Sequence, residues 1–212
     1  MIKGIPLVVT PFMQNARVVY CAKSKEAVVV DPGGDSHIIV SCLNENDLIC
    51  KAVWLTHSHL DHCGGVADLI SALNVPLVGH PAEEYMRAHV DEIAGLYGIP
   101  SGYFKNCPEP GIYVQGGEKL ELGENSFEVL FTPGHSPGHV SFYCKEHKVV
   151  ISGDCLFSGS IGRTDLPGGN HEQLIDTIHE QLLALPDETE VWCGHGPDTT
   201  IGEERRSNPF LQ

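Results

Sequence analysis

The sequence predicts an α+β protein built as an αβ/βα sandwich, in which two mixed β-sheets face each other and helices cover their outer faces. Three observations lead to this expectation. The chain has 212 residues, of which 42% are hydrophobic, so it can bury a substantial core. Short apolar runs typical of strands alternate with runs that have helical spacing. No repeat or low-complexity linker divides the chain, and we therefore expect one domain over residues 1–212.

The first half predicts three strands, a helix, and then strands that alternate with helices. The strands are expected at 5–12, 16–22, 26–31, 51–56 and 76–79, where β-branched and apolar residues are frequent. Asp35 or Ser36 could cap the first helix, which follows a turn rich in glycine and proline. Two more helices are expected, one over 66–73 and a longer one over 82–96.

The second half repeats this alternation after a loop rich in glycine and proline over residues 98–117. The expected elements are strands at 118–122, 126–132, 139–144, 147–153 and 189–194, a helix opened by Asn170, and a short helix at 199–206. Each half therefore combines strands with helices, as the two layers of a sandwich require.

A dense group of polar side chains follows the strand at 51–56, in the stretch His57-Ser58-His59-Leu60-Asp61-His62. His57 and His59 are two residues apart, so they point to the same side of an extended chain. Asp61 and His62 follow where the chain turns towards a helix, and they can reach a second point nearby. Imidazole nitrogens and carboxylate oxygens are ligands of zinc and similar ions. This stretch therefore predicts a metal site on a strand-to-helix turn.

Three more candidate ligands each follow an apolar strand and lie beside a glycine. They are His135, Asp154 and His195. Loops that follow several strands commonly converge on one cleft, so we expect these side chains to join the first group. Together the two groups make a set of seven ligands.

Composition excludes several other classes of function. The net charge of −15 argues against nucleic-acid binding, because binding to phosphates requires lysine and arginine. No apolar run is long enough for a transmembrane helix, and the N-terminus does not resemble a signal peptide, so we expect a cytoplasmic protein with no membrane partner. The eight cysteines include no Cys-x-x-Cys pair, and we expect them to be reduced packing residues. We expect a monomer or a homodimer.

The seven ligands resemble those of the metallo-β-lactamase superfamily, whose fold is the sandwich predicted above. The resemblance covers the whole chain, through the motifs at 57–62, 135, 154 and 195. It implies that His57, His59 and His135 hold one metal ion, that Asp61, His62 and His195 hold a second, and that Asp154 bridges the two. Two divalent ions are therefore expected, with zinc first and iron or manganese as alternatives.

Finer motifs are similar to those of the short, single-domain glyoxalase II-like hydrolases. They are Thr132-Pro133-Gly134-His135-Ser136-Pro137-Gly138-His139, Gly159-Ser160-Ile161-Gly162-Arg163-Thr164-Asp165, Gly194-His195-Gly196-Pro197 and the ending Asn208-Pro209-Phe210-Leu211. The resemblance implies hydrolysis of a thioester, S-lactoylglutathione, to D-lactate and glutathione. The helical region that supplies part of the glutathione site in full-length glyoxalase II has no counterpart here.

The resemblance also suggests roles for individual residues. A hydroxide held between the two ions would attack the thioester carbonyl, with Asp61 and Asp154 as the catalytic carboxylates. Asp61 would accept a hydrogen bond from this hydroxide and orient it. Arg163 is expected to bind a glutathione carboxylate. His139 and His171 are expected either to support the metal ligands or to line the substrate site.

Three alternatives remain open at this point. A persulfide dioxygenase has a similar scaffold and would use one iron, held here by His59, His135 and Asp154. Other hydrolases of the superfamily fit less well, because β-lactamases usually have cysteine at the position of Asp154 and RNA-processing members carry a large inserted domain. A non-catalytic metal-binding module would surround each ion with four protein ligands, whereas this set leaves coordination positions open for water.

Overall fold

The computed structural model describes all residues from 1 to 212 and divides the chain into two compact units. The first unit comprises Met1–Val114 and Leu122–Asn125, and the second comprises Gln115–Glu121 and Ser126–Gln212. The expectation of one domain over residues 1–212 stays a prediction. None of the helices combines the length and apolar character that a membrane crossing demands.

The first unit is built on a six-stranded mixed sheet. Its strands, in spatial and chain order, are β1 (Ile2–Val9), β2 (Gln14–Cys21), β3 (Glu26–Val30), β4 (Ile49–Trp54), β5 (Leu77–Gly79) and β6 (Ile112–Tyr113). The first three strands pair antiparallel, and the pairs from β3 to β6 are parallel. Strand β4 is buried at its carboxyl end, where it leads into the predicted ligand stretch.

The helices of the first unit follow the predicted positions, apart from the unpredicted short helix α2 and two corrections. They are α1 (Ser36–Glu45), α2 (Leu60–Cys63), α3 (Val66–Leu73), α4 (Glu84–Ala88) and α5 (Val90–Leu96), with a 3₁₀ turn at Pro81–Glu83. Helix α1 begins at the predicted place, but the Asp35 side chain does not cap it. Instead, Asp35 Oδ2 accepts a hydrogen bond from the Thr10 amide at 2.9 Å.

The second correction is that the expected continuous helix over 82–96 is interrupted at His89. The ring nitrogen Nδ1 of His89 lies 2.8 Å from the carbonyl oxygen of Tyr85, which a continuous helix would pair with the His89 amide. That amide bonds to Met86 instead, at 3.3 Å, and the chain restarts as α5. Side-chain competition for a backbone acceptor therefore accompanies the break.

The second sheet also has six strands and is mixed. Its spatial order is β14 (Thr199–Thr200), β13 (Glu190–Cys193), β10 (Val149–Gly153), β9 (Val140–Cys144), β8 (Asn125–Phe131) and β7 (Lys119–Leu122), and a separate hairpin pairs β11 (Leu156–Phe157) with β12 (Ser160–Ile161). Strands β10 and β13 are parallel, whereas β10 pairs antiparallel with β9. The expected combination of two mixed sheets with helices is confirmed.

Two helices belong to the second unit, α6 (His171–Thr177) and α7 (Ile201–Ser207). Asn170 caps α6 as predicted, because its side-chain oxygen accepts from the Gln173 amide at 3.1 Å. A π-helical turn over Ile178–Leu182 continues α6. Leu174, Ile178 and Leu182 are fully buried and pack in the core of this unit.

Candidate metal centre

The first candidate ligands lie where the chain leaves β4 and has not yet entered α2. His57 and His59 are both buried here, and His57 Nε2 lies 3.1 Å from His59 Nδ1. Two imidazole nitrogens bound to one tetrahedral zinc ion lie about 3.3 Å apart. The pair therefore has the spacing of two ligands of one ion.

Asp61 and His62 form a second pair in the first turn of α2. Asp61 Oδ2 lies 3.9 Å from His62 Nε2, and the His62 side chain is fully buried. Both residues follow His59, which precedes the helix in extended conformation. The strand-to-helix turn therefore brings the four side chains close together, and the ring centroids of His57 and His62 are 4.1 Å apart. Their division between two ions stays a prediction.

Asp31 orients two of these imidazoles. Its Oδ2 atom lies 3.0 Å from His62 Nδ1 and 2.6 Å from the hydroxyl of Thr56. Because the carboxylate only accepts, Thr56 donates to it and can accept from His57 Nδ1, which lies 3.0 Å away. Both imidazoles then carry their proton on Nδ1, so that Nε2 can bind a metal ion.

Asp31, His57 and His62 also form a group whose potential ligand atoms lie within 4.8 Å of one another. Asp31, however, bonds to the Nδ1 side of His62 and to Thr56. These contacts make Asp31 a residue that orients ligands.

The second unit contributes a carboxylate between two imidazoles. Asp154 Oδ2 lies 3.7 Å from His135 Nε2 and 3.5 Å from His195 Nε2. Asp154 and His135 are buried, whereas the His195 side chain is 28% exposed. An oxygen placed between two imidazoles in this way fits a carboxylate that serves two ions.

His135 is oriented by the backbone of the segment that contains Arg163. Its Nδ1 atom lies 2.7 Å from the Arg163 carbonyl oxygen, an acceptor, so the ring proton resides on Nδ1 and Nε2 can act as a ligand. Gly162 allows this close approach, because a Cβ at that position would lie 1.9 Å from the Asp154 carbonyl oxygen and 3.1 Å from His135 Nδ1. One short segment thus packs against two candidate ligands.

Gly134 gives His135 a second support. Its φ angle of +132° is one that residues with a side chain rarely adopt, and a Cβ would lie 2.4 Å from the backbone of Leu174 in α6. The Gly134 carbonyl also accepts from the Asn170 amide at 2.7 Å. The turn that carries His135 is therefore packed directly on the start of α6.

His139 holds the backbone at Asp154. Its Nε2 accepts a hydrogen bond from the Asp154 amide at 3.2 Å, and its Nδ1 lies 2.8 Å from the Thr132 hydroxyl. The Thr132 hydroxyl is in turn 3.0 Å from that of Ser141. His139 is completely buried, so it acts on Asp154 from within the protein.

The two predicted substrate-binding residues lie on the surface. Arg163 forms a bidentate ion pair with Asp165, in which both N–O distances are 2.7 Å. The Arg163 guanidinium lowers the pKa of Asp165 to about 2. His171 is exposed at the first residue of α6. Substrate binding by Arg163 and His171 stays a prediction.

The cysteines are free, as expected, and seven of the eight are buried. Burial raises the pKa of the Cys63 thiol well above its usual value, and contact with Cys107 raises it further. Burial likewise raises the pKa of Cys155. Metal ligation requires a thiolate, whereas a raised pKa favours the protonated thiol, which packs in the core and can donate a hydrogen bond.

Sequence reasoning missed the supporting residues, among them Asp31, Thr56 and Gly162. A signal for Asp31 was present, because it follows the apolar run of β3 directly and precedes a glycine-rich turn. That is the same pattern that identified Asp154. Thr56 and Gly162 carry no comparable signal, because their roles depend on neighbours distant in sequence.

A model of the metallo-β-lactamase superfamily matches residues 9–195, which include all seven candidate ligands. The chain belongs to the metallo-β-lactamase superfamily. Hydroxyacylglutathione hydrolase GloC of Haemophilus influenzae is 41% identical over 204 residues, which cover 96% of this chain and 95% of the relative. Family membership and this relative support a metal-dependent hydrolase.

Two solved structures of the superfamily are similar over nearly their whole length. The BLEG-1 B3 metallo-β-lactamase has a TM-score of 0.90 and 40% identity, with all of both chains covered. TTHA1623 in a di-iron-bound form has a TM-score of 0.89 and 40% identity, covering 98% of this chain and 100% of the other. BLEG-1 and GloC are named for different activities, and TTHA1623 was solved with two iron ions. The comparisons therefore support a metal-dependent hydrolase, and its substrate and metal are matters for the proposal below.

Proposed function

We propose that this protein is a thioester hydrolase that converts S-lactoylglutathione to D-lactate and glutathione at a dinuclear zinc centre. The main support for this proposal is the position of Asp154 Oδ2, which lies 3.7 Å from His135 Nε2 and 3.5 Å from His195 Nε2. That arrangement fits a bridging carboxylate, and hence two ions. The similarity to a hydroxyacylglutathione hydrolase supports the choice of substrate.

The proposed ligands of the two ions follow from the donor chemistry. We assign His57, His59 and His135 to one ion, and Asp61, His62 and His195 to the other. Asp154 is proposed to contact both ions. In the tautomers assigned above for His57, His62 and His135, Nε2 carries no proton and can bind a metal ion.

The residues of the chain would orient the reacting groups. When bound, two divalent ions supply acidity that makes water a nucleophile near neutral pH and positive charge that stabilises a developing oxyanion. Asp61 is the one terminal ligand that is a carboxylate, and its side chain is 15% exposed. It can therefore accept a hydrogen bond from the attacking water and direct its lone pair at the carbonyl carbon. The departing thiolate is a weak base, so hydrolysis requires no additional general acid.

Arg163 is proposed to bind a glutathione carboxylate. A guanidinium holds a carboxylate through two parallel hydrogen bonds, and Arg163 already makes such a contact with Asp165. A glutathione carboxylate would replace Asp165 in this geometry. His171 is proposed to line the same site.

The test is elemental analysis of the purified protein, combined with assays of S-lactoylglutathione hydrolysis and of oxygen uptake with glutathione persulfide. We expect about two ions per chain and thioester hydrolysis without oxygen uptake. His195→Ala should lose most of the hydrolysis, whereas His179→Ala, at an exposed position on the π-helical turn, should retain it. One iron per chain with oxygen uptake would replace the proposal by a persulfide dioxygenase. Full metal loading without turnover of any thioester, ester or lactone would indicate a metal-binding module.

A further inference from the structure

The ligand turn, defined here as residues 56–59, cannot rely on sheet hydrogen bonds to hold its backbone. Strand β4 ends at Trp54, and Leu55 makes the last ladder-like contact, from its amide to the Val78 carbonyl at 3.0 Å. The polar groups of a buried backbone nevertheless need partners. The structure supplies them from side chains, beginning with Asp31 Oδ1, which accepts from the Thr56 amide at 2.8 Å.

Ser58, between the two histidines, is held from both sides. Its amide donates to Glu83 Oε2 at 2.8 Å. Its carbonyl oxygen accepts from the Cys63 thiol at 3.3 Å. Ser58, Glu83 and Cys63 are all buried, and Glu83 is only 1% exposed. A buried carboxylate is costly unless it is paired, so its placement on this peptide indicates a specific role.

Glu83 itself is positioned firmly. It ends the 3₁₀ turn Pro81–Glu83, whose start is capped by His80 Nδ1, an acceptor for the Ala82 amide at 3.1 Å. Arg87, one helical turn after Glu83, is buried and donates to the His80 carbonyl oxygen at 2.9 Å. The Glu83 carboxylate thus projects from the segment 80–87, whose first and last residues are joined by a hydrogen bond.

We propose that Glu83 is a positioning residue for the metal centre, which it stabilises by fixing the Ser58 peptide. With this peptide fixed, the side chains of His57 and His59 stay on the same side, with their nitrogens 3.1 Å apart. Cys63 holds the same peptide at its other end, because its thiol donates to the Ser58 carbonyl oxygen. The inference rests on the proposed metal centre, but it is independent of which substrate is hydrolysed.

The test measures zinc affinity of the folded protein by competition with a chromophoric chelator, and compares Glu83→Ala, Glu83→Gln and Glu84→Ala. Glu83→Ala should bind zinc about tenfold more weakly, because the turn that carries His57 and His59 loses a backbone hydrogen bond. This lies at the low end of the range for removing a direct partner of a metal ligand. Glu83→Gln keeps an acceptor oxygen and should recover most of the affinity. Glu84 is the exposed neighbour, and its alanine variant should match the parent.

Cys63→Ala provides a second route, with the buried Cys42→Ala as its control. We expect weaker zinc binding in the first variant and parental affinity in the second, with circular dichroism confirming that both fold. Parental zinc affinity in folded Glu83→Ala would overturn the proposal. If Glu83→Ala does not fold, parental affinity in Cys63→Ala or loss of affinity in folded Glu83→Gln would overturn it. Zinc binding without thioester hydrolysis in the parent would refute only the proposed function.

Discussion

Asp31 Oδ2 lies 3.0 Å from His62 Nδ1, although 31 positions separate the two residues in the sequence. The same oxygen accepts from Thr56, which contacts His57. One carboxylate therefore orients an imidazole from each of the two proposed ion sites. Both carboxylate oxygens accept hydrogen bonds, because Oδ1 accepts from the Thr56 amide. Asp31→Asn would therefore turn an NH2 donor towards one of these donors, whichever way the amide is oriented.

We therefore expect Asp31→Asn to lower affinity for both ions by tenfold or more, as measured by chelator competition. The control is Asp47→Asn, at an exposed residue with a φ of +52° that asparagine tolerates well. Loss of one ion only, with the other bound as in the parent, would contradict the shared role of Asp31.

Asp154→Ala tests the bridging carboxylate. Removal of an oxygen that serves two ions should abolish thioester hydrolysis and lower metal content at both positions, measured by elemental analysis after dialysis. A variant that keeps two ions and hydrolyses the thioester within a few-fold of the parental rate would refute the bridging role.

Gly162→Ala tests the close packing behind His135 and Asp154. Its added Cβ would lie 1.9 Å from the Asp154 carbonyl oxygen, a backbone atom that cannot move without displacing a proposed ligand. We expect a folded protein with markedly reduced metal content and activity. Gly111→Ala is the matched control, because nothing lies within 4 Å of its Cβ position. Equal metal content in both variants would show that the segment adapts without cost.

Arg163→Ala tests whether Arg163 binds a carboxylate of glutathione. We expect KM for S-lactoylglutathione to rise tenfold or more, equivalent to about 1.4 kcal/mol, with kcat less changed. Hydrolysis of a small neutral thioester should be unaffected. The backbone contact of residue 163 with His135 remains in this variant, so the change isolates the side chain. If hydrolysis of both substrates slows equally, Arg163 only stabilises its loop and does not bind glutathione.

Asp165→Asn should have the opposite effect, because it removes the competitor of the glutathione carboxylate. The parental pair is present above the ordinary carboxyl pKa and is lost only as the pH falls towards about 2, the lowered pKa of Asp165. The decrease in KM should therefore be the same from pH 5 to pH 8. A decrease confined to the acidic end would show that another group controls the pair.

Most strands and amphipathic helices could be predicted from the sequence because their signals are local. Strand β1 nevertheless begins three residues before its expected position, and the two-residue strand β6 lies in the expected loop over 98–117. Helix α3 begins and ends where its apolar spacing indicates, and Asn170 caps α6. The break at His89 could not be predicted, because it depends on a side chain that competes for a particular carbonyl. The short hairpin of β11 and β12 was missed because two-residue strands have no detectable period.

The candidate ligands could be recognised because each follows an apolar strand in a polar motif. Most of their supports could not be recognised in this way; the exceptions are His139, which the motif around His135 contains, and Asp31. In the sequence, Glu83 cannot be told from its neighbour Glu84, because both lie in a stretch that favours a helix. Only the structure distinguishes them, since Glu83 is buried and accepts from the Ser58 amide. Residue type and position identify the candidate ligands, whereas the supporting contacts depend on neighbours that only the three-dimensional structure shows.

The supports of the ligand turn come from residues 31, 63 and 83, all synthesised long before His135. During translation, the first four candidate ligands can be oriented while the chain that carries the other three is still inside the ribosome or not yet made. The contacts that orient these four side chains therefore all belong to the part of the chain that leaves the ribosome first.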